Sequence, residues 1–285
     1  MTARIGLIGG SGVYDLSGID DLKEERIETP FGSPSDSYFT GTLGGVPVAF
    51  FPRHGRGHRF SPSEINYRAN ICGFKMLGCD AVLSASAVGS LKERYAPRHV
   101  VVPDQFVDRT RHRADTFFGD GIVAHVAFAD PVCGVAAKAL ELAARAGGLT
   151  VHAGGTYVCM EGPQFSTRAE SNLYRSWGAD VIGMTNLTEA RLAREAEMCY
   201  ATLAFVTDYD CWREETEPVS VEAVVKILKD NAGAARLAMR EAIRLLSPER
   251  SCGCRSAMRY AVLTDSRAIP EAAKARLKPI VGRYL

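Results

Sequence analysis

Most features that mark a specialised chain are scarce or missing in this sequence. No apolar run approaches the roughly 18–20 residues that a membrane-spanning helix needs, so no membrane partner is expected. Charge of one sign is not in excess. Lys and Arg total 34 against 33 Asp and Glu, a formal net charge of +1. That balance argues against a basic face for nucleic-acid phosphates. Cysteine, at eight in 285 residues, is too sparse for a disulfide scaffold. The start, Met1-Thr2-Ala3-Arg4, runs into a glycine-rich stretch rather than the apolar stretch of a secretory signal. No internal repeat, linker or composition break divides the chain, which favours one domain spanning residues 1–285. What remains is ordinary for a soluble chain: 46% hydrophobic and 24% charged residues exclude whole-chain disorder and suffice for a sizeable core.

Cys72, Cys79, Cys133, Cys159 and Cys199 lie in apolar runs and read as small core residues. No spacing matches a common zinc pattern, so no metal is expected. The one tight pair, Cys252-Gly253-Cys254, reads as two reduced thiols in a turn, with a local disulfide or redox pair as the alternative. A reducing, cytoplasmic location follows.

Short β-branched runs alternate with amphipathic stretches, the pattern of an α/β architecture. Arg4 to Ile8 reads as a buried strand breaking into Gly9-Gly10-Ser11-Gly12. Val46 to Pro52 is a second, ending at Arg53-His54, and Asp80 to Ser84 a third, opening into Ala85 to Ser90. Asp180 to Gly183 leads into Met184-Thr185-Asn186, and Cys199 to Val206 into Thr207-Asp208-Tyr209-Asp210. Ser61-Pro62-Ser63-Glu64 and Thr167-Arg168-Ala169-Glu170 both have capping-box spacing and predict helix starts. Behind the first, Ile65, Ala69, Cys72 and Met76 share one apolar helix face. Pro103 to Asp130 reads as a long ordered excursion, and a long amphipathic helix is expected from Val221 to Leu246.

Five polar or glycine clusters thus each follow a strand. In an open α/β sheet, ligands bind beyond the carboxyl ends of the strands, so a mostly parallel sheet would gather all five in one crevice. Their chemistry divides in two. Gly9 to Gly12 offers backbone N–H groups and one hydroxyl, Arg53 a planar fork and His54 a further donor. Ser86 and Thr185 add hydroxyls and Ala87 a main-chain N–H, a set suited to one tetrahedral oxyanion. Asp208 and Asp210 would repel phosphate and suit a ring bearing N–H or protonatable nitrogen. The glycine run only loosely matches the dinucleotide fingerprint, and no acidic residue closes a second strand about twenty residues on. His58, His99, His112 and His152 read as surface or satisfied core residues.

The stretches Ile5 to Gly12, Thr29 to Gly32, Arg53 to His58, Glu161 to Glu170, Met184 to Asn186 and Thr207 to Trp212 closely resemble the methylthioadenosine phosphorylases. That group lies within the purine nucleoside phosphorylase family. The resemblance runs essentially from end to end. It implies a single-domain, three-layer α/β fold with a central mixed, largely parallel sheet flanked by helices. It implies phosphorolysis of 5′-methylthioadenosine to adenine and 5-methylthioribose 1-phosphate, with inorganic phosphate as co-substrate and no cofactor. By position, Ser11, Arg53, His54, Ser86, Ala87 and Thr185 would hold phosphate, and Met184 would lie against the ribose. Phe165 would stack on the purine beside the specificity position Ser166, and Asp208 and Asp210 would serve the ring at N7 and the 6-amino group. Val221 would border the 5′ pocket. The resemblance further implies a homotrimer, with His125 and more weakly Leu263 lent by a neighbouring subunit.

Ser11 and Ser86 stand where Thr is frequent in relatives, and both keep the hydroxyl. A carboxylate accepts from a 6-amino group, whereas a 6-oxo purine would prefer a donor such as Asn, so a 6-aminopurine is expected. The rival readings are a broader or 6-oxopurine-preferring phosphorylase (methylthioinosine, inosine, guanosine), a hydrolytic nucleosidase and a non-catalytic nucleoside or phosphate sensor.

Overall fold

In a computed structural model, residues 4–9, 18–213, 221–246 and 249–285 are described. Gly10, Ser11 and Gly12, and the side chain of Val221, lie outside the described residues.

The strands are β1 (Arg4–Gly9), β2 (Asp20–Glu25), β3 (Tyr38–Leu43), β4 (Val46–Pro52), β5 (Cys79–Ser90), β6 (Val100–Val102), β7 (Gln105–Arg109), β8 (Val151–Ala153), β9 (Thr156–Met160), β10 (Val181–Gly183) and β11 (Cys199–Asp208). The helices are α1 (Tyr67–Met76), α2 (Gly134–Ala146), α3 (Arg168–Ser176), α4 (Asn186–Glu195), α5 (Val221–Leu245) and α6 (Glu271–Val281). The strands form one mixed sheet in the order β2-β3-β4-β1-β5-β10-β9-β7, with β11 paired to β5 and β6, and β6 to β8. Its centre is parallel: β1 pairs with β4 and β5, and β11 with β5. Three layers result, as expected.

Alternation along the central strands explains the layering. Ile5 and Leu7 of β1, Val48 and Phe50 of β4, and Ala81 and Leu83 of β5 pack with α2 and α5 on one face. Ile8, Ala49, Phe51 and Val82 point the other way, toward α1, α4 and α6. Gly6 alternates to that second face, where the ring of Phe74 fills the space a Cβ would need. Both faces are thus apolar, which is why these strands read as continuous hydrophobic runs. Among the described residues no helix is long and apolar enough to cross a membrane.

Local signals differ in how they resolve. Thr167 forms the full capping box with Glu170 and starts α3. At Ser61 only the reverse arm forms, Glu64 accepting from the Ser61 N–H at 2.9 Å, and the segment is a turn. The helix begins later because Asn66, anchored to the Phe31 carbonyl at 2.8 Å, takes the cap through the Ala69 N–H. Ile65, Ala69 and Cys72 are buried, while Met76 at the end of that stripe is exposed. The excursion after Pro103 contributes β7, which pairs in parallel with β9.

Candidate active site

β1 and β4 end level with each other and meet β5 in its interior, while β5 and β11 run on together beyond them, so Arg53 lies beside the middle of β5. Gly9 pairs with Pro52, Ile8 with Ser84, and Ala204 with Ser86. The residue after β4 is Arg53, whose N–H bonds to the Gly9 carbonyl at 3.1 Å. Two expectations fail in detail: Ser86 and Ala87, expected beyond a strand ending at Ser84, lie inside β5 because β11 pairs with it as far as Gly89, and the sheet is not parallel at β10. β10 is antiparallel to β5, with Val181 opposite Ser90 and Ile182 opposite Gly89. Because β5 is twelve residues long, β10 runs back along its overhang. Its carboxyl end therefore still delivers Met184 and Thr185 toward Ser86.

Arg53, His54, Ser86 and Thr185 are all buried and Ala87 is half-buried. The planar fork of Arg53 is turned inward rather than left for a ligand. It bridges both carboxylate oxygens of Glu189, through Nε to Oε1 and from Nη2 to Oε2 at 3.1 Å. Nη2 also donates to Ser84 Oγ at 2.6 Å, and Nη1 to the Ala85 carbonyl at 3.3 Å. Of the five guanidinium N–H groups, one on Nη1 remains for a ligand. Burial opposes the Arg53 charge, but the Glu189 carboxylate outweighs it and holds the guanidinium above its ordinary range.

His54 departs further from its expected role. Burial, then the charge of Arg53, push it down to about 3, so the ring is neutral at pH 7. Its Nδ1 lies 2.8 Å from the Phe60 carbonyl and must carry the proton to bond there. Nε2 is then an acceptor, suited to the O–H of a hydrogen phosphate. Thr185 precedes α4 without capping it by its side chain, so its hydroxyl is not drawn into the helix start. The α4 N–H groups also favour an anion at that end.

The acidic half lies three residues further along β5. A shift in register after Val206 brings Asp208 opposite Gly89. Any Cβ there would approach Asp208 Oδ1 to 3.0 Å, so glycine is what lets the carboxylate settle against the strand. Asp208 accepts from Thr207 Oγ1 at 2.7 Å and from the Asp210 N–H at 2.8 Å. Burial nonetheless pushes its carboxyl up to about 6. Burial also raises Asp210, whose backbone has a φ of 52°. Ser86 Oγ is buried and finds no hydrogen-bond partner among the described residues, while Asp210 Oδ2 is buried beside the hydroxyls of Ser171 and Ser166. Ser86 Oγ is one of several such atoms among the described residues, each costing about 1–3 kcal/mol unless something completes it.

The remaining residues frame these halves. Cys211 Sγ donates to the Ser166 carbonyl at 3.2 Å, which ties the Phe165-Ser166 segment to the Asp208–Asp210 turn. Phe165 is exposed at the rim. Met184 is half-buried against Gly162, where a Cβ would fall 2.6 Å from its sulfur. His125 and Leu263 are exposed on one surface ribbon, joined through the Leu263 N–H to the Val123 carbonyl at 2.9 Å and the bridge between Ala124 and Val262.

Two important side chains escaped the sequence reading. Glu189 holds Arg53, and its only signal was a place one turn into the helix after Asn186. Arg113, from the excursion after Pro103, donates to the carbonyls of Met184 and Glu161, the latter at 2.7 Å, and so ties the Met184 turn to the Glu161 segment. Its side chain is buried, which nothing in its polar neighbourhood announced.

A model of the phosphorylase superfamily matches residues 4–244. The chain is 58% identical over 284 residues to the S-methyl-5′-thioadenosine phosphorylase of Koribacter versatilis, a match covering 100% of this chain and 97% of that protein. It is 57% identical over 286 residues to the protein of that name from Geobacter sulfurreducens, covering both chains fully at 100%. Among solved structures, a methylthioadenosine phosphorylase from an antarctic soil metagenomic library is similar at a TM-score of 0.93 and 46% identity, covering 99% of this chain and 100% of that one. Methylthioadenosine phosphorylase from Schistosoma mansoni in complex with adenine follows at 0.86 and 37%, covering 90% and 96%.

Proposed function

The chain belongs to the phosphorylase superfamily, and from that premise we propose that it cleaves S-methyl-5′-thioadenosine with inorganic phosphate to adenine and 5-methylthioribose 1-phosphate. The observation that carries this reading is the division of the site: a buried Ser86 Oγ without a hydrogen-bond partner among the described residues on one side, and the two buried carboxyls of Asp208 and Asp210, both pushed up by burial, on the other. Ser86 Oγ calls for a hydrogen-bonding oxyanion and the carboxyls for an N–H. Three residues of β5 separate the two halves, about 10 Å, the reach of a nucleoside lying between them.

A phosphate oxygen attacks C1′ as the C1′–N9 bond breaks and its electron pair departs with the purine. Positive charge grows on the sugar and is met by phosphate held beneath it by Arg53 Nη1, Ser86, Thr185, the Ala87 N–H and, on the same reading, Ser11. His54 Nε2 accepts the phosphate O–H. Asp208 supports the leaving base at N7, where a carboxyl raised to about 6 can hand over a proton, and Asp210 accepts from the 6-amino group. Phe165 stacks on the ring with Ser166 beside it, and Met184 covers the ribose. By the resemblance alone, Val221 would border the 5′ substituent.

The reaction needs no cofactor. We further place the active form as a cytoplasmic homotrimer in which the exposed His125 and Leu263 ribbon completes a neighbour's site. Light scattering giving three chain masses supports that assembly, and a fully active monomer overturns it. The reaction itself is tested by adenine release with and without phosphate, comparing methylthioadenosine, adenosine and inosine. Phosphate-dependent release, fastest with methylthioadenosine, is expected. Equal release without phosphate would make the chain a hydrolase, and a preference for inosine would reverse the base assignment.

A further inference from the structure

The tight pair Cys252 and Cys254 meets two of the cysteines that read as core residues. The sulfurs of Cys133, Cys199, Cys252 and Cys254 all lie within 4.8 Å of one another, with Cys199 and Cys252 at 3.4 Å. Four thiolates at about 2.3 Å around a tetrahedral ion stand about 3.8 Å apart, so the cluster needs only slight adjustment to enclose one.

Each sulfur is delivered by a separate device. Cys133 is the extended residue before α2, and its N–H bonds to the Tyr200 carbonyl at 2.9 Å, which sets it beside the start of β11. Cys199 opens that strand. Cys252 and Cys254 are delivered by a single 3-10 turn, Gly253–Ser256, Cys252 as its N-cap residue and Cys254 within it. Cys133, Cys199 and Cys254 are buried and Cys252 half-buried. A cleft of about 320 Å³ between Asp130, Arg194 and Ala257 reaches Cys133, Cys252 and Cys254 and gives an ion a way in. Arg250 and Arg255, from the same tail segment, both pair with Asp80, and Arg250 is close enough to Cys199 and Cys252 to sense charge on them. A zinc tetrathiolate carries two negative charges, which those guanidiniums would help balance.

We propose that these four cysteines form a structural zinc site that fastens the tail after Arg250 to α2 and β11. Soft sulfur ligands in a closed set of four favour zinc over harder ions. Binding one Zn²⁺ by four thiols releases four protons and leaves no open position for substrate. The site sits at the opposite end of β11 from Asp208, a ten-residue strand of about 30 Å, so it supports the fold and takes no part in the reaction.

The full chain, reduced with a phosphine and stripped with chelator, is titrated with Co²⁺ and then Zn²⁺. One equivalent of cobalt per chain should give the intense visible bands and sulfur charge-transfer absorption of tetrahedral thiolate cobalt. One equivalent of zinc should abolish them, and zinc should raise Tm by several degrees. Cys252→Ser should lose the stoichiometric spectrum. Should that variant fail to fold, the titration of the unaltered chain decides. A reduced chain that takes up no cobalt overturns the proposal, whether or not its sulfurs were isolated as disulfides. So does uptake that Cys252→Ser leaves intact.

Discussion

The Arg53–Glu189 pair offers a measurement in which stability and phosphate binding must move together. Both side chains are 2% exposed. Glu189 accepts from Arg53 at both oxygens and from Tyr200 Oη at 2.7 Å and Ser84 Oγ at 3.3 Å on Oε2. Glu189→Gln keeps the shape, removes the charge, and sets an NH₂ against either Arg53 Nε or the Arg53 Nη2 and Tyr200 donors. Breaking a buried pair from one side costs about 3–5 kcal/mol, because the partner charge is left uncompensated. For a chain of this size that lowers Tm by on the order of 10 °C. Phosphate then becomes the anion nearest Arg53. Thermal melts across a phosphate series should therefore show a larger phosphate-induced rise in the variant than in the unaltered chain. A melting point within about 2 °C of the unaltered chain would refute the buried-pair account. An identical phosphate shift in both proteins would remove Arg53 from the oxyanion site.

Three further outcomes are expected. Asp208→Asn cannot hand over a proton and should reduce kcat by about 10²–10⁴-fold. It should also move the kcat/KM ratio from methylthioadenosine toward methylthioinosine by at least about tenfold, and an unchanged ratio would sink the base assignment. Ser86→Ala removes a hydroxyl with no internal partner, so the free protein should melt no lower while the KM for phosphate rises, about 1–3 kcal/mol in binding. A lower melt with unaltered phosphate KM would make Ser86 a packing residue. Away from the site, burial pushes Glu195 up to about 7, against its bonds from Phe117 N–H and Thr116 Oγ1. The folded chain keeps a proton that the unfolded chain loses near its ordinary value of 4.5. The stabilisation from that proton is full at low pH and is lost as pH rises through about 7, on the order of 3 kcal/mol. Glu195→Gln should thus gain on the unaltered chain by on the order of 5 °C between pH 5 and pH 8, measured by melting, and a pH-independent difference would contradict it.

The strand and cluster pattern was legible in sequence because a strand buried on both faces reads as an unbroken apolar run and the residue after it breaks that run. Arg53 could be found in this way, whereas Ser86 lies inside β5 and Asp208 is the last residue of β11, so their strands run further than the apolar runs suggested. The direction of β10 could not be read at all. Three residues, Val181 to Gly183, carry no mark of orientation, and only the overhang of β5 beyond β1 makes an antiparallel partner possible. The capping box at Ser61 was outweighed by a contact from Phe31, far away in sequence, that secured the cap at Asn66. Long-range partners were equally invisible for Arg53, whose anchor stands 136 positions away, and for Cys133 and Cys254, whose meeting depends on α2 and the tail turn reaching one end of β11.

What escaped the sequence also determines how the site can work. Residue types suggested that Arg53 offers a fork and His54 a donor. The fold commits the fork to Glu189 and the His54 proton to Phe60. Phosphate would then meet a nearly neutral, preordered surface of single N–H and O–H groups with one acceptor, rather than a free cation. Such a surface selects hydrogen phosphate by geometry and holds it without excess affinity. That suits a co-substrate which must shift toward C1′ as the bond to the purine gives way, since binding it too tightly in the ground state would raise the barrier.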